Sequence, residues 1–525
     1  CPSNKRSSKL SLKLSKSVLI IDFGSQYTHL IGRKIRELGV YAEIYPPKYL
    51  NNVTNILNHS VLILSGGPDS VLNKNAPKID IPLDQIPIPI LGICYGFQYI
   101  SKEFDGVIEK SNQREYGKTI IKISKCDLFN NTKSEQQVWM SHGDSLTKIP
   151  KGFKILAKTK NKIPAAIYKK NIYAIQFHCE VTHSEFGNQI LKNFLFNICN
   201  LKENWKNNDL HQTIGRYLRI NVKEKKPNIV CAVSGGVDST VLAFAISKYL
   251  KLDNVHFIFV NNGLLRKYDI KNIKSVFKSF NLKLNIINAE HIFLKKLKNV
   301  TDPELKRKII GGLFIEVFSK YIRKLSQKDF YLAQGTLYTD IIESRSYHGG
   351  KSVTIKSHHN VGGLPKDLKF DVIEPFKELF KDEVRRLGLY YKLDQRFVNR
   401  HPFPGPGLGI RCIGKVNRQR LDTLREIDEI FINFLIEKDL YNKSWQAFAV
   451  LLPVKSVGVM GDERTYEETC VLRCINSVDG MTADVSQINV ETLSEVATHI
   501  INKVPRVNKV LYDITSKPPS TIEWE

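Results

Sequence analysis

Residues Ile88–Gln98 read IPILGICYGFQ. An apolar run ends at Ile93, a lone cysteine follows between Gly92 and Gly96, and a helix-compatible stretch begins. Short apolar runs bounded by Gly, Pro or Ser read as buried strands of a parallel sheet. The pattern recurs outward in both directions. Ser17–Asp22 (SVLIID) precedes a helical stretch at Tyr27–Leu38. Ala42–Tyr45 and Val61–Ser65 (VLILS) follow, and Ile172–Phe177 (IYAIQF) is a last strand leading into His178. Strands alternating with helical segments predict a parallel α/β sheet that closes near Asn200.

A polar bridge, Leu201–Lys226, leads to a second unit of the same texture. Asn228–Val233 (NIVCAV) runs into a Gly-rich turn and a helix through Leu250. Strands follow at Val255–Val260, Leu284–Asn288 and Phe330–Ala333. After His401 the texture changes: His401–Gly409 (HPFPGPGLG) leads to a helix at Val416–Glu437, then to short strands and helices. The predicted fold class is α/β, with two consecutive parallel-sheet domains and a C-terminal α+β domain. The expected boundaries are 1–16 (a flexible basic arm), 17–203, 204–400 and 401–525.

Composition narrows the field. At 525 residues, with 42% hydrophobic and 25% charged, the chain is a multidomain globular protein. No apolar run approaches the ~18–20 residues a membrane helix needs. The nine cysteines are scattered without a CxxC pair, and Cys470 and Cys474, the closest two, have no histidine cluster beside them. Neither a zinc site nor a disulfide framework is expected, and a reducing, cytoplasmic setting follows. The net charge is +26. Its lysines spread along the whole chain without an RNA-binding signature, so a solvated surface is preferred to a nucleic-acid face. Cys1–Lys16 holds Lys and Ser but no acid, as in a flexible arm or the remnant of a targeting segment, and the true N-terminus is expected to be missing.

Two motifs carry chemistry. In Gly92-Ile93-Cys94-Tyr95-Gly96 the cysteine sits on a tight strand-to-helix elbow. The glycines permit the turn, the helix N-terminus favours a thiolate, and the next backbone N–H points at a developing oxyanion. His178 and Glu180, at i and i+2 on the last strand, share a face. His178 can take the thiol proton, and Glu180 can hold the imidazole tautomer. The second motif is Ser234-Gly235-Gly236-Val237-Asp238-Ser239, between a strand and a helix. Its small residues let backbone N–H groups approach phosphate at a helix N-terminus. No Lys-Ser/Thr pair follows, so it is not a Walker A loop.

The segments DFGSQY (Asp22–Tyr27), SGGPDS (Ser65–Ser70), GICYGFQ (Gly92–Gln98), EYG (Glu115–Gly117), WMSHGD (Trp139–Asp144) and HCEV (His178–Val181) resemble a class I glutamine amidotransferase of the GMP synthase family. SGGVDS resembles the ATP pyrophosphatases, and NGLLR, VTDPELKRKIIG, QGTLY, DIIES, IKSHHNVGGLP, LFKDE and the terminal SKPPSTIEWE extend the GMP synthase resemblance to Glu525. The resemblance implies glutamine, ATP and XMP as substrates, Mg²⁺ carried with ATP rather than in a fixed protein site, and GMP, AMP, pyrophosphate and glutamate as products. It implies a homodimer through the C-terminal domain, with no membrane or nucleic-acid partner.

By the same resemblance Cys94 forms a glutamyl thioester, and Gly67 and the Tyr95 N–H line the oxyanion hole. Ser234–Ser239 bind ATP. The stretch from Ser344 to Pro365 reads as a lid. Asp340, Glu343, Lys356, His358, His359, Lys381 and Asp382 would serve adenylyl transfer. Arg307, Gln446, Lys517, Thr521, Glu523 and the loop around Pro404–Gly407 would meet XMP. The departures are Cys179 where the family has Pro, Asn261 for Asp, Thr339 for Pro, Arg345 and Arg385 for Lys, and Lys509 for Arg. Cys179 is expected to point away from His178 with little catalytic consequence, and Asn261 puts ATP affinity in question.

Overall fold

A computed structural model describes residues 17–25, 27–181, 183–205, 210–222, 227–251, 253–325, 329–344, 369–460, 463–477, 483–517 and 519–525. The chain divides into two compact units that meet at Asp209/Leu210.

The first unit is built on nine strands: β1 (Ser17–Ile21), β2 (Ala42–Tyr45), β3 (His59–Leu64), β4 (Ile90–Ile93), β5 (Val107–Ile123), β6 (Glu135–Lys148), β7 (Lys154–Thr159), β8 (Pro164–Lys169) and β9 (Ile172–Ile175). They form one sheet in the order β2-β1-β3-β4-β9-β8-β7-β5-β6. The pairs from β2 to β9 are parallel and those from β9 to β6 antiparallel. β1 and β4 are buried on both faces, as a central parallel strand covered by helices must be. The antiparallel half was not anticipated. β6 alternates buried and partly exposed positions from Glu135 to Asp144, and such a strand shows no continuous apolar run.

Three segment ends also differ from expectation. β4 begins at Ile90 because Pro87 and Pro89 supply no N–H. β9 ends at Ile175, so His178 and Glu180 lie beyond the strand and not on it. A helix, Leu210–Asn221, occupies the expected polar bridge, burying Leu210, Ile214 and Leu218 at helical spacing.

The second unit carries two sheets. β10 (Ile229–Ala232), β11 (Val255–Asn261), β12 (Leu284–Asn288), β13 (Asp329–Ala333) and β14 (Lys369–Ile373) form an all-parallel sheet in the order β12-β11-β10-β13-β14. β10 lies where the strand order reverses, which is where open α/β sheets place a ligand crevice. The other sheet joins the antiparallel pair β15 (Gln446–Met460) and β16 (Glu463–Asn476) to β17 (Asp484–Val485) and β18 (Val507–Tyr512). Helix Arg418–Glu437, capped by Asn417 on the Arg420 N–H, packs against β15. One core runs through both sheets. Val260, Leu264, Phe293 and Leu408 pack with Leu421, Leu424, Ala447, Leu451 and Leu472.

Candidate functional site

Cys94 stands between β4 and the helix Tyr95–Glu103, with φ 54° and ψ −101°. A non-glycine residue held there stores roughly 1–3 kcal/mol of strain, and it persists only if its surroundings dictate it. They do. The Cys94 N–H donates to the Ile175 carbonyl at the end of β9 (2.9 Å), and the Gly96 N–H donates to Ser65 beyond β3 (3.0 Å). The glycines are dictated by space. A Cβ on Gly96 would lie 2.4 Å from the Leu64 carbonyl oxygen, and one on Gly92 would lie 2.6 Å from that of Gly96.

His178 and Glu180 lie in the loop after β9. The His178 N–H donates to Trp139 on β6 (3.0 Å), and the Ser184 hydroxyl donates to the His178 carbonyl (2.5 Å). His178 Nδ1 is 2.7 Å from Glu180 Oε1, and both side chains are buried. Burial opposes a charge on His178. The charges of Glu180 and Cys94 beside it outweigh that cost, so its pKa lies well above the usual imidazole value. Cys94, the His178 ring and Glu180 are thus brought together although the last two lie off the strand. Gly66 and Gly67, after β3, close the other side. A Cβ on Gly66 would lie 3.0 Å from His178 Cε1, and one on Gly67 would lie 3.2 Å from the Tyr95 ring. Tyr27 stands edge-on to the His178 ring at 5.0 Å. The Ser141 carbonyl lies 3.6 Å from Cys94 Sγ. Neither Tyr27 nor Ser141 was singled out from the sequence. Cys179 is buried, and burial followed by the Glu180 charge pushes its thiol pKa well up.

The second cluster lies at the C-terminal end of β10. Gly235 takes φ +81°, and Gly236 opens the helix Val237–Tyr249. Ser239 Oγ accepts from the Ser234 N–H (3.1 Å) and lies 3.0 Å from Ser234 Oγ, closing the loop on itself. Lys381, opening the helix Lys381–Tyr390, reaches Asp238 Oδ2 at 3.7 Å, and Asp238 Oδ1 is buried with no partner among the described residues. Asp382 pairs along its own helix with Arg386 (3.0 Å). Asp340 Oδ2 accepts from the Leu337 N–H (2.9 Å). Asn261, at the end of β11, accepts from the Gly263 N–H (3.1 Å) and donates to Asn288 (3.2 Å), fixing the turn that follows. Lys356, His358, His359 and Arg345 lie outside the described residues, as does the side chain of Glu343. Among the described residues no three His, Cys, Asp or Glu side chains come together as a metal cluster.

The C-terminal tail is ordered by buried cations. Glu523 receives Arg411 in a fork, Nε to Oε2 at 3.0 Å and Nη2 to Oε1 at 2.7 Å, and Gln446 Nε2 also donates to Oε1 at 3.0 Å. Arg473 donates to the Thr521 carbonyl (2.9 Å), and the Lys517 N–H donates to the Ala483 carbonyl (2.8 Å). Fully buried Lys306 contacts the Glu525 carboxylate, and Arg307 contacts the Glu525 main-chain oxygen. Gln446 and Arg307 therefore meet the tail that carries Thr521 and Glu523. Arg411, Arg473 and Lys306, which hold that tail, carried no signal in the sequence beyond their charge.

Comparison with known proteins sets this geometry in a family. Residues 19–198 match class-I glutamine amidotransferases, and residues 433–524 match the GMP synthase C-terminal domain. A glutamine-hydrolysing GMP synthase of Brachyspira hyodysenteriae is 51% identical over 512 residues, covering 97% of this chain and 99% of that protein. Those of Fusobacterium nucleatum and Helicobacter pylori are 50% and 49% identical over 514 and 513 residues, each covering 97% of this chain and 99% and 100% of theirs. With half of all positions shared from end to end, the chain belongs to the glutamine-hydrolysing GMP synthase family.

Proposed function

We propose that this chain takes ammonia from glutamine at Cys94 and uses ATP to place it on XMP, giving GMP. The reaction is that of its family. The observation that carries the residue assignment is the elbow cysteine beside a buried His178 that is hydrogen-bonded to Glu180. Cys94 Sγ attacks the carboxamide carbon, and the electron pair moves to the oxygen, which faces the N–H groups of Gly67 and Tyr95. His178, oriented by Glu180, takes the thiol proton and gives it to the departing ammonia as the carbonyl re-forms. Water then cleaves the thioester to glutamate.

In the synthetase reaction the xanthine 2-oxygen attacks the ATP α-phosphorus and pyrophosphate leaves. Ammonia then displaces AMP from C2. The SGGVDS loop offers backbone N–H groups and a helix N-terminus to the phosphates, and Lys381 adds charge. Mg²⁺ carried with ATP would supply charge neutralisation for the leaving pyrophosphate, and Asp238 Oδ1, buried with no partner among the described residues, would be the oxygen ligand this loop offers it. The tail residues Lys517, Thr521 and Glu523, with Arg307 and Gln446, receive XMP. Residues 17–203, 204–400 and 401–525 serve as the amidotransferase, pyrophosphatase and acceptor-binding domains. The acceptor domain pairs two subunits in the cytoplasm. No helix among the described residues is long and apolar enough to cross a membrane.

The test is GMP formation from XMP, Mg²⁺-ATP and glutamine, followed with AMP release. Equal amounts of GMP and AMP are expected. Neither appearing, with ammonia in place of glutamine as well, overturns the assignment.

A further inference from the structure

We propose that Arg411 is a positioning residue for the acceptor nucleotide: it locks Glu523 as a one-lone-pair receiver for an N–H of the xanthine ring. This rests on the reading above that the tail meets XMP.

Arg411 is fully buried in the turn after Gly407–Ile410. Its backbone is clasped to β15, since the Leu451 N–H donates to the Arg411 carbonyl and the Ile413 N–H to that of Leu451, both at 2.9 Å. Its guanidinium stacks 4.1 Å from the Phe448 ring centroid and 5.3 Å from that of Phe403. The side chain therefore has no freedom to search for a carboxylate, and Glu523 must come to it. The tail is pinned on both sides of Glu523. Arg473 holds the Thr521 carbonyl and Asp513, Trp524 Nε1 donates to Asp513 (3.0 Å), and Lys306 holds Glu525.

A carboxylate offers about four lone-pair directions. Among the described residues Arg411 and Gln446 fill both on Oε1 and one on Oε2. One remains, on Oε2. The Gln446 amide nitrogen is fixed as the donor by two acceptors, Glu523 Oε1 and the Pro402 carbonyl (3.1 Å). The forked guanidinium presents nothing but donors, so the two Glu523 oxygens act toward it as acceptors. A lysine would keep the charge and lose the fork.

The experiment measures KM for XMP and for ATP, kcat with ammonia, and Tm, in full-length Arg411→Met, Arg411→Lys, Glu523→Gln and the Arg411→Met/Glu523→Gln double variant. A hydrogen bond to a charged group is worth roughly a tenfold change or more in affinity. Glu523→Gln and Arg411→Met are expected to raise the XMP KM about tenfold or more while the ATP KM moves far less, with Arg411→Lys in between. The double variant should recover Tm, since no unpaired buried carboxylate is left, yet keep the high XMP KM. Recovery of both in the double variant makes Arg411 merely structural and overturns the proposal. So does an unchanged XMP KM in Arg411→Met when Glu523→Gln raises it. An unchanged XMP KM in Glu523→Gln overturns it too, and places the failure in the reading of the tail as the acceptor site.

Discussion

At the residue scale the proposed chemistry rests on Cys94 and His178. Cys94→Ala is expected to reduce glutamine-dependent GMP formation by roughly a thousandfold or more and to leave ammonia-dependent formation close to wild type. Steady-state assays with either nitrogen source check this, and retained glutamine use would refute the role of Cys94. His178 supplies a pH prediction. Its folded-state pKa is raised, against burial, by Glu180 and Cys94. A raised pKa means that the native state binds the proton more tightly than the unfolded chain. The resulting stability is complete below the ordinary imidazole value of about 6.5 and is lost as pH rises through the folded value. The Tm advantage of wild type over Glu180→Gln should therefore be largest on the acid side of that window and shrink as pH rises. Thermal melts of both proteins across the range test it, and an advantage that grows with pH would contradict it.

Elements determine whether those residues meet. The elbow works because β3, β4 and β9 lie side by side in register, and because Gly92 and Gly96 leave room for a backbone crossing that any side chain would block. Gly96→Ala must push Leu64 or the helix away, and overpacking of this kind costs about 1–3 kcal/mol. The expected result is a lower Tm, together with loss of glutaminase activity because the Cys94 turn moves with the helix. Differential scanning calorimetry and a glutaminase assay decide it, and an unshifted Tm with full activity would mean that the crossing relaxes freely. The motif itself was legible in the sequence because glycine has a local cause. The proposed base was legible only in part. Its residues were identified, but the strand meant to align them stops at Ile175, and the alignment comes instead from Trp139 and Ser184.

For the molecule as a whole the prediction concerns the proposed homodimer. Val457, Val459 and Tyr466 lie exposed on the β15–β16 pair, with Val457 directly opposite Tyr466 in the register. Cross-strand apolar pairs left in water are a cost that a second copy removes. Val459→Glu is expected to shift the protein from dimer to monomer in sedimentation velocity. A dimer that survives both this variant and Tyr466→Glu would place the interface elsewhere.

The sequence by itself determined the two chemical loops, the alternation of strands and helices that makes both α/β sheets, and the family. Each of these is a local pattern: a nucleophile between glycines, a small-residue turn before a helix, an apolar run of strand length. Only the tertiary structure decided the antiparallel half of the first sheet, the loop origin of the His178–Glu180 pair, and the clamp on the C-terminus. Arg411, Arg473 and Lys306 look like any other basic residues in a chain carrying 78 of them. They become distinct only when folding buries their charges and brings Glu523, Asp513 and Glu525 across more than 30 residues of sequence to pair with them. A buried cation must be paired, and the partner is chosen by topology, which no local stretch of sequence encodes.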